Sequence, residues 1–341
     1  MTALGKGEFA EEALRNYFLE HGYFVVRSLP FLYGQIDVTD IDLWLYRKTS
    51  PFTRERINVD VKSKNEPKAF ERIIWAKGLQ ISLQLEKSIV ATTSIKKEVK
   101  DFSVANDVIL IDGNLFNHLT NKTLTLNRIV EEDFVSQIFY ENSGKDDADW
   151  KRRYLLSKGR LINKLNFDGC NEYLREINYF LRQFILRADI SLVPLRLLYI
   201  NIAFFLVCLD FLTKSFIPSD QKSRIEVLVN GFNYGERGKE RTESITNAAI
   251  KLASSVIANP SIRQTLLKEI ENQVKERPVD ILANFFCKDN QLNHLSEIAK
   301  SFESFSYSPV IITPSKLPIE LQSILGLLTD FHRMDRKRIF L

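Results

Sequence analysis

The chain has 341 residues, a length typical of two domains. Apolar residues make up 45% and charged residues 26%, which predicts a mostly globular chain and excludes extended disorder. The net charge of +4 is small, and acidic and basic residues balance over the first 120 residues, so bulk charge gives no argument for nucleic-acid binding.

The first third alternates between helical and strand patterns. Residues 5–21 have apolar side chains at helical spacing, and Gly22 ends this helix. Residues 29–34 contain Pro30 and Gly34 and are predicted to be a loop, as is the polar segment 48–56. Strands are predicted at Tyr23–Arg27, Ile41–Tyr46, Ile57–Ser63, Ser88–Thr93 and Asp107–Asp112, and helices at 68–86 and 95–104. The packing side chains of the helix at 68–86 are predicted to be Phe70, Ile73, Ile74, Leu79 and Leu83. This order predicts an α/β domain over residues 1–120.

The remaining residues have helical periodicity almost throughout. Residues 121–150 are predicted to be a linker or connecting helix, with a helical pattern at 128–140. Residues 151–341 are predicted to be an all-helical domain. Its role is open: it holds a protein partner, mediates dimerisation or senses a ligand. Helix breaks are expected near Pro218, Gly231–Gly238, Pro260, Pro278 and Pro309–Pro318.

Several classes of protein are disfavoured by the sequence. Cys170, Cys208 and Cys287 are far apart and form no CxxC pair, so we expect buried thiols, with no zinc site or disulfide. Leu197–Leu209 contains 13 uncharged residues, whereas a membrane span needs roughly 20. The first 20 residues carry acidic side chains where a signal peptide needs an apolar run. We therefore expect a soluble, cytoplasmic protein without a membrane partner.

The strand predicted at Ile57–Ser63 presents a carboxylate beside an ammonium group. Asp60 and Lys62 lie on one face because residues i and i+2 of a strand project to the same side. Asp42 begins the preceding apolar strand, and antiparallel pairing would bring it near Asp60. Two neighbouring carboxylates repel each other unless a cation such as Mg²⁺ neutralises them. The alternative is a solvated strand face with a cross-strand ion pair.

These motifs, in this order, resemble the PD-(D/E)xK nuclease superfamily. Thr39–Leu43 is similar to the segment that carries the first aspartate of the family, and Val59–Lys62 is similar to the (D/E)xK motif. His21–Tyr23 is similar to the end of the first helix in Mrr-like restriction endonucleases and resolvase-like proteins. Ser88–Thr93 and Val108–Leu115 resemble the strands that close the Mrr-like domain. The resemblance covers about residues 5–120.

The resemblance implies both a fold and an activity. The fold is an αβββαβ restriction-endonuclease-like core followed by an all-α domain. The activity is that of a metal-dependent endonuclease that hydrolyses phosphodiester bonds, in DNA more readily than in RNA. Asp42, Asp60 and a glutamate of the first helix would bind Mg²⁺ or Mn²⁺, and Lys62 would orient or help to deprotonate the attacking water.

Some positions of this site have competing candidates. Glu11 is favoured as the helix carboxylate because it lies at the margin of the apolar face, ahead of Glu8, while Glu12 is expected to point away from the core. A solvated helix face is the alternative for both. Asp42 is preferred to Asp37 because it enters the strongest apolar run.

Four further residues are weaker candidates. Asp40 alternates with Asp42, so it is either a supporting ligand or an exposed residue. Lys64 continues the face of Lys62 and is a candidate phosphate contact. Lys77 and Gln80 lie on the following helix, where relatives often carry substrate contacts. Exposed polar residues are the alternative for these last three.

Two other functions are consistent with the same residues. By analogy, a nuclease domain joined to a helical module is typical of restriction and anti-phage defence proteins. The alternative is a nucleic-acid-binding or protein-binding subunit of a defence complex that cuts weakly or only when a partner docks. A resolvase-like enzyme that reads junction geometry would require a homodimer.

Overall fold

The computed structural model describes residues 4–34, 36–63, 68–121, 127–141, 149–256, 261, 264–265, 269 and 278–340. The strands are β1 (Phe24–Tyr33), β2 (Ile36–Lys48), β3 (Arg54–Lys62), β4 (Lys87–Thr92) and β5 (Ile109–Ile111). The helices are α1 (Lys6–Glu20), α2 (Ala69–Ser82), α3 (Lys97–Ala105), α4 (Gly113–Asn121), α5 (Glu131–Glu141), α6 (Trp150–Asn163), α7 (Phe167–Arg187), α8 (Val193–Thr213), α9 (Gln221–Tyr234), α10 (Gly238–Val256), α11 (Val279–Phe286), α12 (Asp289–Ser306), α13 (Ile319–Phe331) and α14 (Arg336–Ile339). Short 3-10 helices lie at Gly235–Arg237 and Pro314–Lys316. An α/β region followed by helices is confirmed.

The five strands form one mixed sheet in the order β1-β2-β3-β4-β5. The pairs β1–β2 and β2–β3 are antiparallel, whereas β3–β4 and β4–β5 are parallel. The parallel pairs are joined through α2 and α3, as parallel strands require crossover connections. The central strand β3 is buried along most of its length, so the side chains at its C-terminal end are held on a rigid support.

Helices cover both faces of the sheet. On one face, Leu14 of α1 and Phe116 of α4 pack with Leu43 and Val59 in one apolar cluster. On the other face, α2 and α3 cover β4. Next to them, Phe24 and Trp44 belong to the large apolar cluster that continues into α7 and α8. The sheet and the helical half therefore share a core.

The prediction of a loop at residues 29–34 is wrong. Strand β1 continues to Tyr33, and β2 begins at Ile36, which pairs with Tyr33. Pro30 is accommodated because β1 is an edge strand, where a missing N–H need not break the ladder. Asp42 consequently lies in the interior of β2, whereas the sequence placed it at the head of a strand.

The helix predicted at 68–86 forms, but only part of its predicted packing set is buried, namely Ile73 and Leu83. Ala69, Ile73 and Ala76 are buried, at a spacing of three and four residues. Phe70 and Ile74, which were expected to pack, are 44% and 60% exposed. The correct face is marked by small alanine side chains, which allow α2 to approach the sheet closely.

The helical half is built around α8. This 21-residue helix has a mean hydropathy of 2.0 in its most apolar window and is long enough to cross a membrane, but 89% of that window is buried within the protein. It is packed as a buried core helix, as predicted for Leu197–Leu209. Cys170, Cys208 and Cys287 are buried free thiols, which confirms that prediction. The predicted break at Pro260 lies outside the described residues.

A buried polar cluster joins the sheet to α8. The Tyr46 hydroxyl donates to Asp210 Oδ2 at 2.5 Å, and Arg54 Nε lies 2.6 Å from the same oxygen. Arg54 Nη2 also donates to Thr213 Oγ1 at 3.0 Å. All four side chains are nearly inaccessible to water, so each charge depends on its partner.

Candidate active site

Asp42 and Asp60 lie at neighbouring positions of β2 and β3. The antiparallel register pairs Leu43 with Val59, and one further step along it places Asp42 opposite Asp60. Asp42 Oδ2 accepts a hydrogen bond of 2.7 Å from the backbone N–H of Val61. Antiparallel pairing thus brings Asp42 to the part of β3 that carries Asp60, although the two residues are 18 positions apart in the sequence.

Both carboxylate oxygens of Asp60 contact Arg72 of α2. Arg72 Nε donates to Asp60 Oδ2 at 2.8 Å, and Arg72 Nη2 contacts Asp60 Oδ1. Asp60 is only 6% exposed. A guanidinium that binds both oxygens of a carboxylate forms a strong, planar interaction. Asp60 is therefore held by a cation that belongs to the protein itself.

Lys62 ends β3 on the strand face of Asp60 and is half-buried. No hydrogen bond or ion pair of its ammonium group occurs with the residues that the structure describes. Its positive charge, like that of Arg72, lowers the pKa of Asp42, as does the N–H of Val61. Burial is the larger effect, and the pKa of Asp42 is raised above its ordinary value.

Glu11 of α1 is close enough to Asp42 for the charges of the two carboxylates to interact. Burial raises its pKa to about 7 against the opposing charge of Arg27, and the negative charge of Asp42 raises it further. Arg27 Nε donates to Glu11 Oε2 at 3.1 Å. Glu8, the other candidate, is exposed and accepts the backbone N–H of Gly5 at 2.7 Å, which caps the helix. The geometry therefore favours Glu11, next to Asp42.

The expectation that Glu12 points away from the core is wrong. Glu12 is 1% exposed, and its Oε1 lies 2.9 Å from Arg27 Nη1 and 3.3 Å from Arg15 Nη1. The two arginines lower the pKa of Glu12 despite its burial. The prediction failed because α5 and α12 cover the side of α1 that carries Glu12. On that side, Glu303 of α12 binds Arg15 at 2.8 Å.

The other acidic candidates lie at the surface. Asp37 and Asp40 are both exposed, and Asp40 pairs across the ladder with Pro30. The charge of Asp40 contributes to the raised pKa of Asp42. Asp40 is therefore near the site, with its side chain in solvent.

The proposed substrate contacts have different surroundings. Lys64 lies outside the described residues. Lys77 forms an ion pair of 3.3 Å with Asp107. Gln80 is 8% exposed and donates to the backbone carbonyl of Glu86 at 3.2 Å. Little of the Gln80 side chain remains for a substrate contact.

Sequence reasoning missed the two arginines that contact the candidate carboxylates. Arg72 lies one turn into α2, and its spacing from Asp60 carries no motif. Arg27 is a charged residue within the apolar run of β1, between Val26 and Ser28. A buried arginine in a strand requires an anionic partner, and that was the available signal for Arg27.

The carboxylate oxygens of the site can be compared with the ligands that a divalent cation prefers. Mg²⁺ is commonly bound through one or two carboxylates together with water and phosphate oxygens. Glu11 and Asp42 supply hard oxygen donors, and a nearby cation would lower the pKa that burial raises in each. Over the described ranges, no three acidic, His or Cys side chains form a group that could hold a metal ion. Glu11 and Asp42 thus have the chemistry that a divalent cation prefers, and no third such side chain of the described residues completes the set.

Comparisons with protein-family models, curated proteins and solved structures found no match to this chain. The function is therefore inferred from the side chains of the site and from the motif resemblance.

Proposed function

We propose that the chain is a metal-dependent endonuclease that hydrolyses phosphodiester bonds in DNA. The main supporting observation is that Asp42 of β2 contacts β3 between Asp60 and Lys62, through the N–H of Val61. Asp42 and Glu11 of α1 are also largely buried, and burial raises the pKa of each. Such perturbed groups cluster at functional sites because stability alone disfavours them. Asp60 and Lys62 lie on the adjoining strand, in the D-x-K spacing that prompted the resemblance.

Each residue has a distinct role in this proposal. Asp42 and Glu11 would hold Mg²⁺ or Mn²⁺, which when bound lowers the pKa of water and stabilises negative charge on the phosphate. Asp60, the third ligand that the resemblance implies, would join them only after release from Arg72. Lys62 Nζ, at the open end of β3, orients the attacking water and adds positive charge beside the scissile phosphate.

The proposal also includes the type of fold and the domain boundaries. They are an αβββαβ restriction-endonuclease-like core, a nuclease domain over residues 1–120, a connecting segment over 121–150 and a helical domain over 151–341. The preference for DNA over RNA, the cytoplasmic location and a role in restriction or anti-phage defence follow the resemblance. The protein partner or homodimer contact is assigned to the helical half.

A second candidate is a defence-complex subunit that cuts only when a partner docks. The observation that favours it is the Arg72–Asp60 ion pair, which engages both oxygens of a proposed metal ligand. Cleavage would then require Arg72 to release Asp60. A protein that binds DNA tightly but cuts slowly until Arg72 is substituted would support this candidate.

The test is cleavage of supercoiled plasmid, linear DNA and RNA with Mg²⁺, with Mn²⁺ and with EDTA. We expect DNA cleavage that EDTA abolishes and that Asp42→Asn removes. Lys222→Ala is a matched control, since Lys222 is an exposed residue of α9 in the helical half. Cleavage that persists in EDTA, or equally in Asp42→Asn, would contradict the proposed function.

A further inference from the structure

A cavity of about 570 Å³ opens beside the candidate active site. Its walls are α1, the ends of β3 and β4, and α4. Ser63 of its lining directly follows Lys62, and Ala10 directly precedes Glu11. Consecutive Cα atoms are about 3.8 Å apart, so the cavity lies next to the backbone of both Lys62 and Glu11.

The position of the α4 wall is fixed by a close backbone approach. A Cβ atom at Gly113 would lie 2.2 Å from the carbonyl oxygen of Thr93, so only glycine allows α4 to begin there. The N–H of Gly113 donates to the carbonyl of Ser94 at 2.9 Å. This contact sets Phe116 and Asn117 beside the end of β4, where both line the cavity.

The lining combines aromatic, amide and cationic groups. Phe9 is half-buried, and Phe116 is buried in the floor. Asn117, Asn121 and Lys6 have exposed side chains that form no hydrogen bond or ion pair with the residues the structure describes. An aromatic ring that stacks a base, amides that read its edge and a lysine for a phosphate are the groups that bind single nucleotides. The cavity also has the size of a typical ligand pocket.

We propose that this cavity binds an unpaired nucleotide of the DNA next to the scissile phosphate. The inference rests on the proposed function. The base stacks on Phe9, the amide of Asn117 donates to and accepts from its edge, and Lys6 contacts the adjoining phosphate. Because a base within a duplex cannot enter such a cavity without leaving its stack, the site favours DNA that contains an unpaired nucleotide.

The test is binding of the full chain in EDTA to two fluorescent duplexes, one fully paired and one with a single unpaired nucleotide. We expect the second duplex to bind about tenfold more tightly, the scale of one base–aromatic stack. Phe9→Ala and Asn117→Ala should remove most of this preference. Asn114→Ala, on the same helix but outside the cavity lining, should keep it.

The outcomes separate this inference from the proposed function. Equal binding of the two duplexes by the wild-type chain overturns the inference, as does an unchanged preference in Asn117→Ala, an exposed position at which folding is not at risk. Metal-dependent cleavage without any preference overturns the cavity assignment alone. A preference that depends on Phe9 and Asn117 in a chain that never cuts DNA supports the cavity and contradicts the nuclease.

Discussion

Asp60 and Arg72 form an ion pair in which the guanidinium contacts both carboxylate oxygens. The pair connects the end of the central strand to α2, and Asp60 is nearly buried within it. A carboxylate with this partner is neutralised without a metal. The position of Arg72 therefore determines whether Asp60 is available as a metal ligand.

Arg72→Ala should make the chain less stable without metal and more responsive to metal. Leaving the carboxylate of Asp60 without its partner costs about 1–3 kcal/mol, and Mg²⁺ or Mn²⁺ should recover part of that loss. Thermal unfolding with EDTA and with each metal measures the effect, and Arg72→Lys is the control that keeps the charge but loses the planar fork. A metal-induced rise in Tm no larger than that of the wild type would count against metal binding at Asp60.

Glu11 should give the stability of the chain a distinctive pH dependence. Its folded pKa of about 7 lies above the ordinary value of 4.5. The folded state therefore holds a proton that the unfolded state has lost between these values, and stability falls as pH rises from about 4.5 to 7. The loss is up to about 3 kcal/mol, at 1.36 kcal/mol per pKa unit.

Urea unfolding at several pH values compares the wild type with Glu11→Gln, which cannot titrate. The free energy of unfolding of the wild type, relative to that of Glu11→Gln, should fall as pH rises from about 4.5 to 7 and stay constant above pH 7. Saturating Mg²⁺ should reduce the change, because a bound cation lowers the pKa of Glu11. A difference that is constant with pH would show that Glu11 is not buried as described.

The polar cluster around Asp210 should be essential for the packing of the sheet on α8. Asp210→Ala leaves Arg54 buried without an anion, which we expect to cost about 3–5 kcal/mol. Tyr46→Phe removes one hydrogen bond and should cost about 1 kcal/mol. Denaturant unfolding measures both, with Asp189→Ala, an exposed position, as a control expected to change stability by less than about 0.5 kcal/mol. A loss below 1 kcal/mol in Asp210→Ala would contradict the buried ion pair.

Residues 1–120 should not behave as an independent folding unit. The sheet face that carries Phe24, Trp44 and Tyr46 is buried against the helical half. A chain that ends at residue 120 exposes these side chains and should aggregate or unfold without a cooperative transition. Calorimetry of the fragment and of the full chain tests this. A cooperative, soluble fragment would show that the sheet does not depend on the shared core.

The sequence predicted the parts of the site that depend on strand periodicity. Alternation in β3 placed Asp60 and Lys62 on one face, and hairpin pairing placed Asp42 opposite Asp60. It failed for Glu12 and for the Phe70 face of α2, because the packing partners of those faces come from distant segments. The contact of Arg72 could not be predicted, since it belongs to no local pattern, whereas Arg27 is marked only by its charge within an apolar strand.

Cleavage of plasmid DNA by the wild type and by Lys62→Ala is the most direct test of the proposed nuclease activity and of the role of Lys62. Lys62 ends β3 beside Asp60, and its substitution removes a positive charge without emptying a core position. We expect Lys62→Ala to fold, to retain DNA binding and to lose cleavage by at least about a hundredfold, the scale of one acid–base or charge-stabilising group. Equal cleavage by the wild type and a folded Lys62→Ala, or no cleavage by either with any divalent metal, would contradict it.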